Sequence, residues 1–280
     1  MSHVELRHVS KSFTHDGSRV AVLDDVNLTV EPGEFACLLG PSGCGKSTIV
    51  QLIAGLEKPD AGQVFVGAVP VAGPDPSRMV VFQDGALFPW LSVLGNVEFG
   101  LRMAGLAQPA RRDRAMAYIK LVHLSRFVRA FPHQLSGGMR QRVAIARALA
   151  MEPQILLMDE PFGALDAQTR AILQEELLEI WQKTRTTLFF VTHNVREATG
   201  LADRVFEISS RPRRIKRVYR IDVGRPRLAT DPVLVAIQRR ILDSLGEEIA
   251  KVTQEELGEA VRFPEAAGPS DPDRSLGMHI

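Results

Sequence analysis

The nine residues GPSGCGKST, at positions 40–48, match the pattern G-x-x-x-x-G-K-[ST] of a phosphate-binding loop. The apolar run Phe35–Leu39 comes directly before them and has the composition of a buried strand, and residues 48–56 have a helical composition. A strand, such a loop and then a helix N-terminus is the arrangement in which backbone N–H groups bind phosphate. The sequence therefore predicts that the chain binds a nucleoside triphosphate.

Each part of this loop has a predicted contribution to binding. Gly40, Gly43 and Gly45 are expected to adopt backbone conformations closed to other residues and to bring consecutive N–H groups to phosphate oxygens. Lys46 supplies a mobile charge for the β- and γ-phosphates, and the Ser47 hydroxyl is the expected protein ligand of a Mg²⁺ ion. The predicted nucleotide-binding residues of the loop are Gly40, Pro41, Ser42, Gly43, Cys44, Gly45, Lys46, Ser47 and Thr48.

Charge and apolar patterning indicate which partners and which cellular locations are not expected for this chain. The chain has 280 residues, with 34 basic and 33 acidic side chains and a net charge of +1. This balance gives no electrostatic argument for nucleic acid or an anionic membrane surface as a partner. No apolar run approaches the roughly 18 to 20 residues that span a bilayer, and the N-terminus lacks the pattern of a signal peptide. We expect a chain that is neither inserted in a membrane nor exported.

The two cysteines are Cys37, on the predicted strand, and Cys44, inside the loop. A disulfide between them is hard to reconcile with a working loop. We therefore predict two free thiols in a reducing cytosol, with Cys37 packed in the core and Cys44 filling a variable position of the loop.

Alternating and unbroken apolar runs predict an α/β fold with a small, mostly antiparallel sheet at its start. Val4 and Leu6 alternate with polar residues, as do Val26, Leu28 and Val30, which indicates two half-buried strands. Further strands are predicted at 64–66, 79–82, 155–158, 188–191, 205–208 and 215–221, and helices over 96–125, after Ser136, after Asp166 and from Asp231. The helix after Asp166 is expected to bury Ile172, Leu173, Leu177, Ile180 and Trp181, and the last helix Val233, Ile237, Ile241, Leu245 and Ile249.

Three polar residues end two of the predicted buried strands. Asp159 and Glu160 follow the run at 155–158, and His193 follows the strand at 188–191. Carboxyl ends of parallel strands face the ligand crevice of an open α/β sheet. We expect Asp159 to hold Mg²⁺ through its water shell, Glu160 to polarise an attacking water, and His193 to reach a γ-phosphate.

A second anion site is predicted at the helix that begins after Ser136. Ser136 has the character of an N-cap, yet Gly137 and Gly138 follow it and each weakens a helix by roughly 1 kcal/mol. Close approach of another group to the backbone explains two such glycines better than helix stability does. A helix start with a hydroxyl and bare N–H groups suits a phosphate.

Three further features have two interpretations each. Phe13 is either a core residue or a flat surface for stacking an adenine. Gln83, after a predicted strand, is either a solvated side chain or a ligand of water or metal. In the second case it would transmit the geometry of that contact to the segment after it. That segment contains LFPWL at 87–91, which is either folded into the core or an exposed docking surface; Pro89 favours docking.

Taken together, GPSGCGKST, Gln83, LSGGM, ILLMDE, GALD and His193 stand in the order and spacing of the ATP-binding cassette (ABC) ATPases of membrane transporters. The resemblance covers roughly residues 1–225, and the combination of motifs is highly specific. The stretches at 82–97 and 135–149 resemble the ATPase subunits of nitrate, taurine and aliphatic sulfonate importers. The resemblance implies a P-loop NTPase fold with a RecA-like core sheet, an N-terminal antiparallel β-subdomain and a helical signature subdomain.

The family resemblance also implies roles for individual residues. Phe13 stacks on adenine, Gln83 contacts Mg²⁺ or water, Glu160 is the catalytic base, His193 contacts the γ-phosphate, and Asp166 of GALD belongs to the nucleotide site. Ser136, Gly137 and Gly138 complete the site of the opposite subunit, so that ATP is sandwiched in a head-to-tail homodimer. One departure is Met139, where the common signature has Gln; we expect ATP to be held and the local helix packing to differ.

The resulting hypothesis is an ATP-hydrolysing subunit that powers import of a nitrate-, sulfonate- or taurine-like solute. Its expected partners are an integral membrane permease and, indirectly, a solute-binding protein, with the chain on the cytoplasmic face of the membrane. The cassette is expected over residues 1–230 with a helical subdomain at 84–150, followed by a helix and a disordered tail within 231–280. Alternatives are a soluble ABC ATPase in iron–sulfur assembly or DNA repair, and a small-molecule kinase, for which no acceptor site is evident.

Overall fold

The computed structural model describes residues 2–15, 17–210 and 212–257, which form two sheets flanked by helices. The strands are β1 (Val4–His15), β2 (Ser18–Val30), β3 (Phe35–Leu39), β4 (Ala61–Val66), β5 (Val69–Pro70), β6 (Arg78–Val81), β7 (Ile155–Asp159), β8 (Thr187–Thr192), β9 (Arg204–Ile208) and β10 (Ile215–Arg220). The helices are α1 (Lys46–Ala54), α2 (Val93–Met103), α3 (Gln108–Leu121), α4 (Gly137–Leu149), α5 (Ala167–Thr184), α6 (Val195–Leu201) and α7 (Pro232–Leu257). The predicted α/β fold is confirmed. The tail that was expected to be disordered lies beyond residue 257, outside the described residues.

The first sheet is antiparallel, in the order β2-β1-β4-β5, as the alternating N-terminal pattern predicted. The strands β1 and β2 are longer than the alternating patterns at residues 4–6 and 26–30 predicted. Their additional residues lead to an exposed end of the hairpin. Phe13 was expected between two strands; it lies within β1, opposite Val20 of β2. Its ring is 37% exposed.

The second sheet has six strands in the order β10-β9-β3-β8-β7-β6, with only β10 antiparallel to its neighbour. Every residue of β3 and β8 is buried, because helices or the first sheet cover both faces. In β3, Phe35, Cys37 and Leu39 face one hydrophobic core, whereas Ala36 and Leu38 face the other. The carboxyl ends of β3, β8, β7 and β6 are therefore adjacent along one edge, with β3 near the centre.

Helices α2, α3 and α4 form the segment between β6 and β7. The sequence pattern at 96–125 predicted helix throughout, but α2 ends at Met103 and α3 begins at Gln108. Gly105 adopts a left-handed φ of +79° in the connection, and Pro109 occupies the first turn of α3, where its missing N–H costs no hydrogen bond. Buried residues of all three helices belong to the same hydrophobic core as one face of the six-stranded sheet.

Two predicted burial patterns are partly wrong for geometric reasons. In α5, Leu173 and Leu177 are buried but Ile172 is 45% exposed, because neighbouring helical residues point about 100° apart. In α7, Ile241 is fully buried, whereas Val233 and Ile249 are 58% and 53% exposed. Apolar residues spaced by four drift around a helix by about 40° per step, so the ends of such a row leave the buried face.

Helix α7 packs against the six-stranded sheet side of the chain, since its buried residues Leu234, Ile241 and Leu245 belong to the hydrophobic core that includes β3. It is also held by a buried polar contact, in which Ser244 Oγ donates to Glu207 Oε1 of β9 at 2.6 Å. The end of the ATP-binding domain at residue 230 and the extent of the helical subdomain, about residues 84–150, remain predictions.

Candidate nucleotide-binding and hydrolysis site

The loop after β3 has the backbone conformation expected of a phosphate cradle. Gly43 and Gly45 have φ values of +76° and +96°, which L side chains rarely adopt, and both lie just before α1. Gly40 needs glycine for a different reason than predicted, namely space. A Cβ there would lie 2.6 Å from Ile208 Cγ2 and 2.9 Å from Cys44 Sγ.

Replacing Gly40 by Ala is therefore expected to lower the free energy of unfolding by about 1–3 kcal/mol and to weaken ATP binding, because β9 and the loop must separate. Thermal unfolding by circular dichroism and fluorescent-nucleotide titration measure the two effects. The matched control is Gly200→Ala, where a Cβ meets nothing within 4 Å. An unchanged melting temperature in the Gly40 variant would contradict the steric account.

Both cysteines are free, as predicted, and both are buried, although burial was predicted only for Cys37. Burial raises the pKa of the Cys37 thiol well above its ordinary value and also raises the pKa of the Cys44 thiol. Cys44 is 2% exposed and packs in the same hydrophobic core as Ala36 and Leu38 of β3. Such thiols remain protonated and unreactive.

Lys46 lies at the base of the cleft and is only 5% exposed. Its ammonium group donates to the carbonyl oxygens of Gly40 at 3.0 Å and Pro41 at 2.8 Å, and lies 3.6 Å from Glu160 Oε1. The two loop carbonyls and the Glu160 carboxylate thus hold the Lys46 ammonium group in place. A bound triphosphate would replace them as its partners. The cleft has a volume of about 270 Å³ and is lined by Val22, Ser42, Gly43, Gly45, Lys46, Ser47, Thr48 and Glu160.

Asp159 and Ser47 meet at the side of this cleft. Burial raises the pKa of the Asp159 carboxyl, and the negative charge of Glu160 adds to this rise, while a hydrogen bond to Ser47 and the charge of Lys46 oppose it. Its Oδ1 atom is buried without a hydrogen-bond partner among the described residues. An orphaned carboxylate oxygen beside a serine hydroxyl fits the oxygen-donor preference of Mg²⁺.

Glu160 follows β7 with a left-handed φ of +45°, which is strained for a residue with a side chain. Its backbone is fixed on both sides, since its N–H donates to Val191 O at 3.0 Å and its carbonyl accepts from Gly163 N at 3.1 Å. Glu160 lines the cleft, and its Oε2 lies 3.0 Å from His193 Nδ1. The predicted base and the predicted γ-phosphate contact are therefore brought together.

Gln83 lies two residues beyond β6, next to the turn after Glu160. A Cβ at Gly163 would be 3.2 Å from Gln83 Nε2 and 3.4 Å from the carbonyl oxygen of Glu160. The amide thus lies beside the turn that follows Glu160, and Gln83 is exposed.

Phe13 and Asp166 are not among the residues lining the cleft. Lys11 Nζ lies 5.0 Å from the centre of the Phe13 ring. Asp166 caps α5 by accepting from the N–H groups of Gln168 at 3.1 Å and Thr169 at 2.9 Å. The hydrogen bond from Thr169 is the largest cause that lowers the pKa of Asp166. Nucleotide contacts by Phe13 and Asp166 remain predictions.

Ser136 is the N-cap of α4, as predicted, and its Oγ accepts from Met139 N at 3.3 Å. Gly138 has a neighbour that the sequence did not identify: a Cβ there would lie 2.7 Å from Thr169 Cγ2 of α5. At Gly137 the nearest atom would be Leu165 Cδ2 at 3.2 Å. Close packing within the chain thus accounts for Gly138, whereas Ser136 is exposed and absent from the lining of the phosphate cleft.

Two groups of residues near the site were missed by the sequence interpretation. Val22 of β2 lines the phosphate cleft, and only its place in an alternating strand could have suggested it. A small cavity of about 30 Å³ adjoins Glu160 and His193 and is also lined by Phe162, Gly163, Arg170, Thr192, Asn194 and Glu197. The pattern Asn194-x-x-Glu197 signals a helix N-terminus, yet Glu197 is buried and its pKa is raised by that burial.

The family model described as ABC transporter matches residues 23–163. The nitrate import ATP-binding protein NrtD of Synechocystis sp. is 47% identical over 221 residues, which cover 79% of this chain and 83% of that protein. The taurine import ATP-binding protein TauB of Pseudomonas fluorescens is 42% identical over 264 residues, which cover 91% and 99%. The chain therefore belongs to the ABC transporter family. It is the ATP-binding, ATP-hydrolysing component of such a transporter.

A solved structure supports the same assignment. The dimeric, post-hydrolysis structure of the ATP-binding cassette MJ0796, bound to ADP and Pi, matches with a TM-score of 0.69 and 33% identity, covering 79% of this chain and 100% of that one. The predicted P-loop cassette fold with its antiparallel β-subdomain is thereby confirmed. Within residues 2–257, where the chain is described, no helix is both long and apolar enough to cross a bilayer.

Proposed function

We propose that this chain is the ATPase subunit of an importer for a small nitrate-, sulfonate- or taurine-like solute, and that it works at the cytoplasmic face of the membrane as a homodimer docked to a permease. The observation that carries the ATPase step is the contact of Glu160 with both Lys46 Nζ, at 3.6 Å, and His193 Nδ1, at 3.0 Å. The names of the two relatives, nitrate and taurine import proteins, support the class of solute.

Triphosphate binding follows from the arrangement of the loop. Backbone N–H groups of the loop and the start of α1 present partial positive charge, which suits phosphate oxygens. Lys46 exchanges the carbonyl oxygens of Gly40 and Pro41 for phosphate oxygens. Because the ammonium group is already at the base of the cleft, little ordering is required when the nucleotide binds.

The site also fits a Mg²⁺ ion. Ser47 Oγ is a candidate direct ligand, the orphaned Oδ1 of Asp159 is suited to bind through a water shell, and Gln83 supplies an amide oxygen nearby. The ion would neutralise charge that builds up on the phosphate oxygens.

In hydrolysis, Glu160 accepts a proton from the attacking water while the water oxygen bonds to the γ-phosphorus and the bond to the β–γ bridging oxygen breaks. His193, whose Nδ1 lies 3.0 Å from Glu160 Oε2, is then within reach of the γ-phosphate. The fixed, left-handed backbone of Glu160 pre-orients the carboxylate, so its strain serves positioning.

The homodimer places the start of α4 from one subunit over the phosphates of the other. Ser136 is exposed and outside its own cleft, and Gly137 keeps the helix start bare. ATP would then bridge two anion sites, and loss of the γ-phosphate would let them part. Met139 packs partly against the core, so the thioether fills space instead of reaching the nucleotide.

The permease would dock on the apolar segment after Gln83. Trp90 is 70% exposed, and the Phe88 ring is held between Trp90 and Phe99, with ring centres 5.6 Å and 4.4 Å away. Fully buried Asn96 fixes this segment: its Oδ1 accepts from Phe88 N at 2.8 Å and its Nδ2 donates to Leu91 O at 2.9 Å. A rigid, exposed aromatic group is typical of an interface anchor.

Trp90→Ala tests the docking. In cells expressing the chain with its cognate permease, we expect uptake of labelled solute to fall at least about tenfold, while ATP binding by the purified chain is unchanged. Leu228→Ala, at a residue that is 69% exposed and away from this segment, is the matched control. Affinity purification from solubilised membranes with mass spectrometry identifies the partner. Recovery of iron–sulfur scaffold or DNA-repair proteins without a membrane protein would contradict the proposal.

A further inference from the structure

Glu197, in the first turn of α6, is a buried carboxylate with no part in the chemistry described above. It is 7% exposed. One carboxylate oxygen accepts from Thr192 Oγ1, and the other accepts from Gln174 Nε2 of α5 at 2.8 Å. Burying a carboxylate is unfavourable unless such bonds compensate for lost hydration, and helix capping alone does not require it, since Asn194 already caps α6.

These contacts fix the backbone on both sides of His193. The Thr192 hydroxyl donates to Glu197 and accepts from Asn194 N at 3.0 Å. Asn194 Oδ1 in turn accepts from Glu197 N at 3.2 Å. Residues 192 and 194 are thus tied to each other and to the same glutamate, whereas the His193 side chain is 57% exposed and touches Glu160.

The same glutamate also connects His193 to α5 and the turn before it. Gln174 and Arg170 both lie on α5, and Arg170 donates to Phe162 O at 3.2 Å and to Leu165 O at 2.7 Å. Arg170, Glu197, His193 and Glu160 line one small cavity. A shift of Glu197 would therefore displace the imidazole relative to the catalytic carboxylate.

We propose that Glu197 is a positioning residue for His193: its hydrogen bonds to Thr192 and Gln174 set where the imidazole meets Glu160 and the γ-phosphate. The proposal rests on the ATPase mechanism proposed above. We assign this role to hydrogen-bond geometry and not to charge, because both carboxylate oxygens accept from neutral donors, Thr192 Oγ1 and Gln174 Nε2, that hold the backbone on either side of His193.

The isosteric variant Thr192→Val, compared with Thr192→Ser, tests the Thr192 hydroxyl and its bonds to Glu197 and Asn194 N without removing the carboxylate. Thr192→Val is expected to lower kcat for ATP about 10- to 100-fold with KM within about twofold, because the imidazole is misplaced while the phosphate loop is intact. Thr192→Ser keeps the hydroxyl and is expected to stay within about threefold of wild type. Equal kcat in the two variants would overturn the proposal.

Substitutions of Glu197 separate geometry from charge. Glu197→Ala is expected to lose kcat to a similar extent, and combining it with Thr192→Val should add little, since both variants remove the bond between Thr192 and Glu197. Glu197→Gln keeps an acceptor for Thr192, and rotation of the Gln174 amide restores the second bond, so kcat should stay within about threefold. A loss in Glu197→Gln as large as in Glu197→Ala would overturn the geometric assignment.

Glu207→Ala is the matched control for general destabilisation. Glu207 is fully buried, accepts two hydroxyl bonds, from Tyr219 at 2.7 Å and Ser244 at 2.6 Å, and is not among the residues that line the cleft. It is expected to lower the melting temperature and leave kcat unchanged below the transition. A wild-type chain without ATPase activity would refute the proposed function, whereas an active wild type with unaltered Thr192→Val would refute only the positioning role.

Discussion

Replacing Glu160 by Gln is expected to lower kcat for ATP hydrolysis by roughly 10²- to 10⁴-fold, the usual contribution of a positioned general base. The amide keeps the size and hydrogen-bonding reach of the side chain but cannot take the proton from the attacking water. Loss of the negative charge 3.6 Å from Lys46 Nζ also removes repulsion of the triphosphate. ATP affinity should therefore be retained or improved.

Retained ATP without hydrolysis has a structural consequence that can be measured directly. The variant should elute as a dimer by size-exclusion chromatography with light scattering in ATP, and as a monomer in ADP, because only the triphosphate bridges the two anion sites. Glu152→Gln is a matched control: Glu152 also has a left-handed φ, of +51°, and pairs with Arg114 at 3.5 Å, but lies outside the cleft. Hydrolysis at the wild-type rate in the Glu160 variant would exclude it as the base.

The part of the site that could be predicted from the sequence consists of residues placed by local rules. Asp159, Glu160 and His193 end unbroken apolar runs, and parallel strands bring their carboxyl ends to one edge. The loop at 40–48 is contiguous, so its conformation is encoded by its own glycines. Family resemblance added roles for these residues, but the edge itself follows from strand pattern alone.

What could not be predicted depends on partners distant in sequence. Gly40 requires space next to Ile208, and Gly138 requires space next to Thr169, and neither neighbour is visible in the local pattern. Glu197 stands at the third helical position after Asn194, where a capping contact is the ordinary expectation. It turns inward instead, where it accepts from Thr192 at the end of β8 and from Gln174, and the second of these bonds depends on the packing of α5 against α6.

Replacing Lys46 by Ala is expected to reduce kcat/KM for ATP by roughly 10³- to 10⁵-fold. A hydrogen bond from a charged donor is worth about 1.5–3 kcal/mol, or roughly 10- to 150-fold in affinity, and loss of a preorganised cation at the transferring phosphoryl group costs a further 10²- to 10³-fold in kcat. Lys46→Arg should not restore activity, because a position that is 5% exposed and bound by two carbonyls suits a compact ammonium group, not a planar fork.

The loss must be separated from damage to the empty loop, since Lys46 also joins the carbonyls of Gly40 and Pro41. ATP should raise the melting temperature of the wild type, since it binds only the folded state, and should leave that of Lys46→Ala unchanged. Lys216→Ala is the control: Lys216 likewise contacts a carbonyl, Ser244 O at 3.3 Å, and a carboxylate, Glu248 at 2.8 Å, outside the cleft. It should keep the ATP-induced shift even if its own melting temperature falls. A Lys46 variant that ATP still stabilises fully would show that the backbone N–H groups alone bind the phosphates.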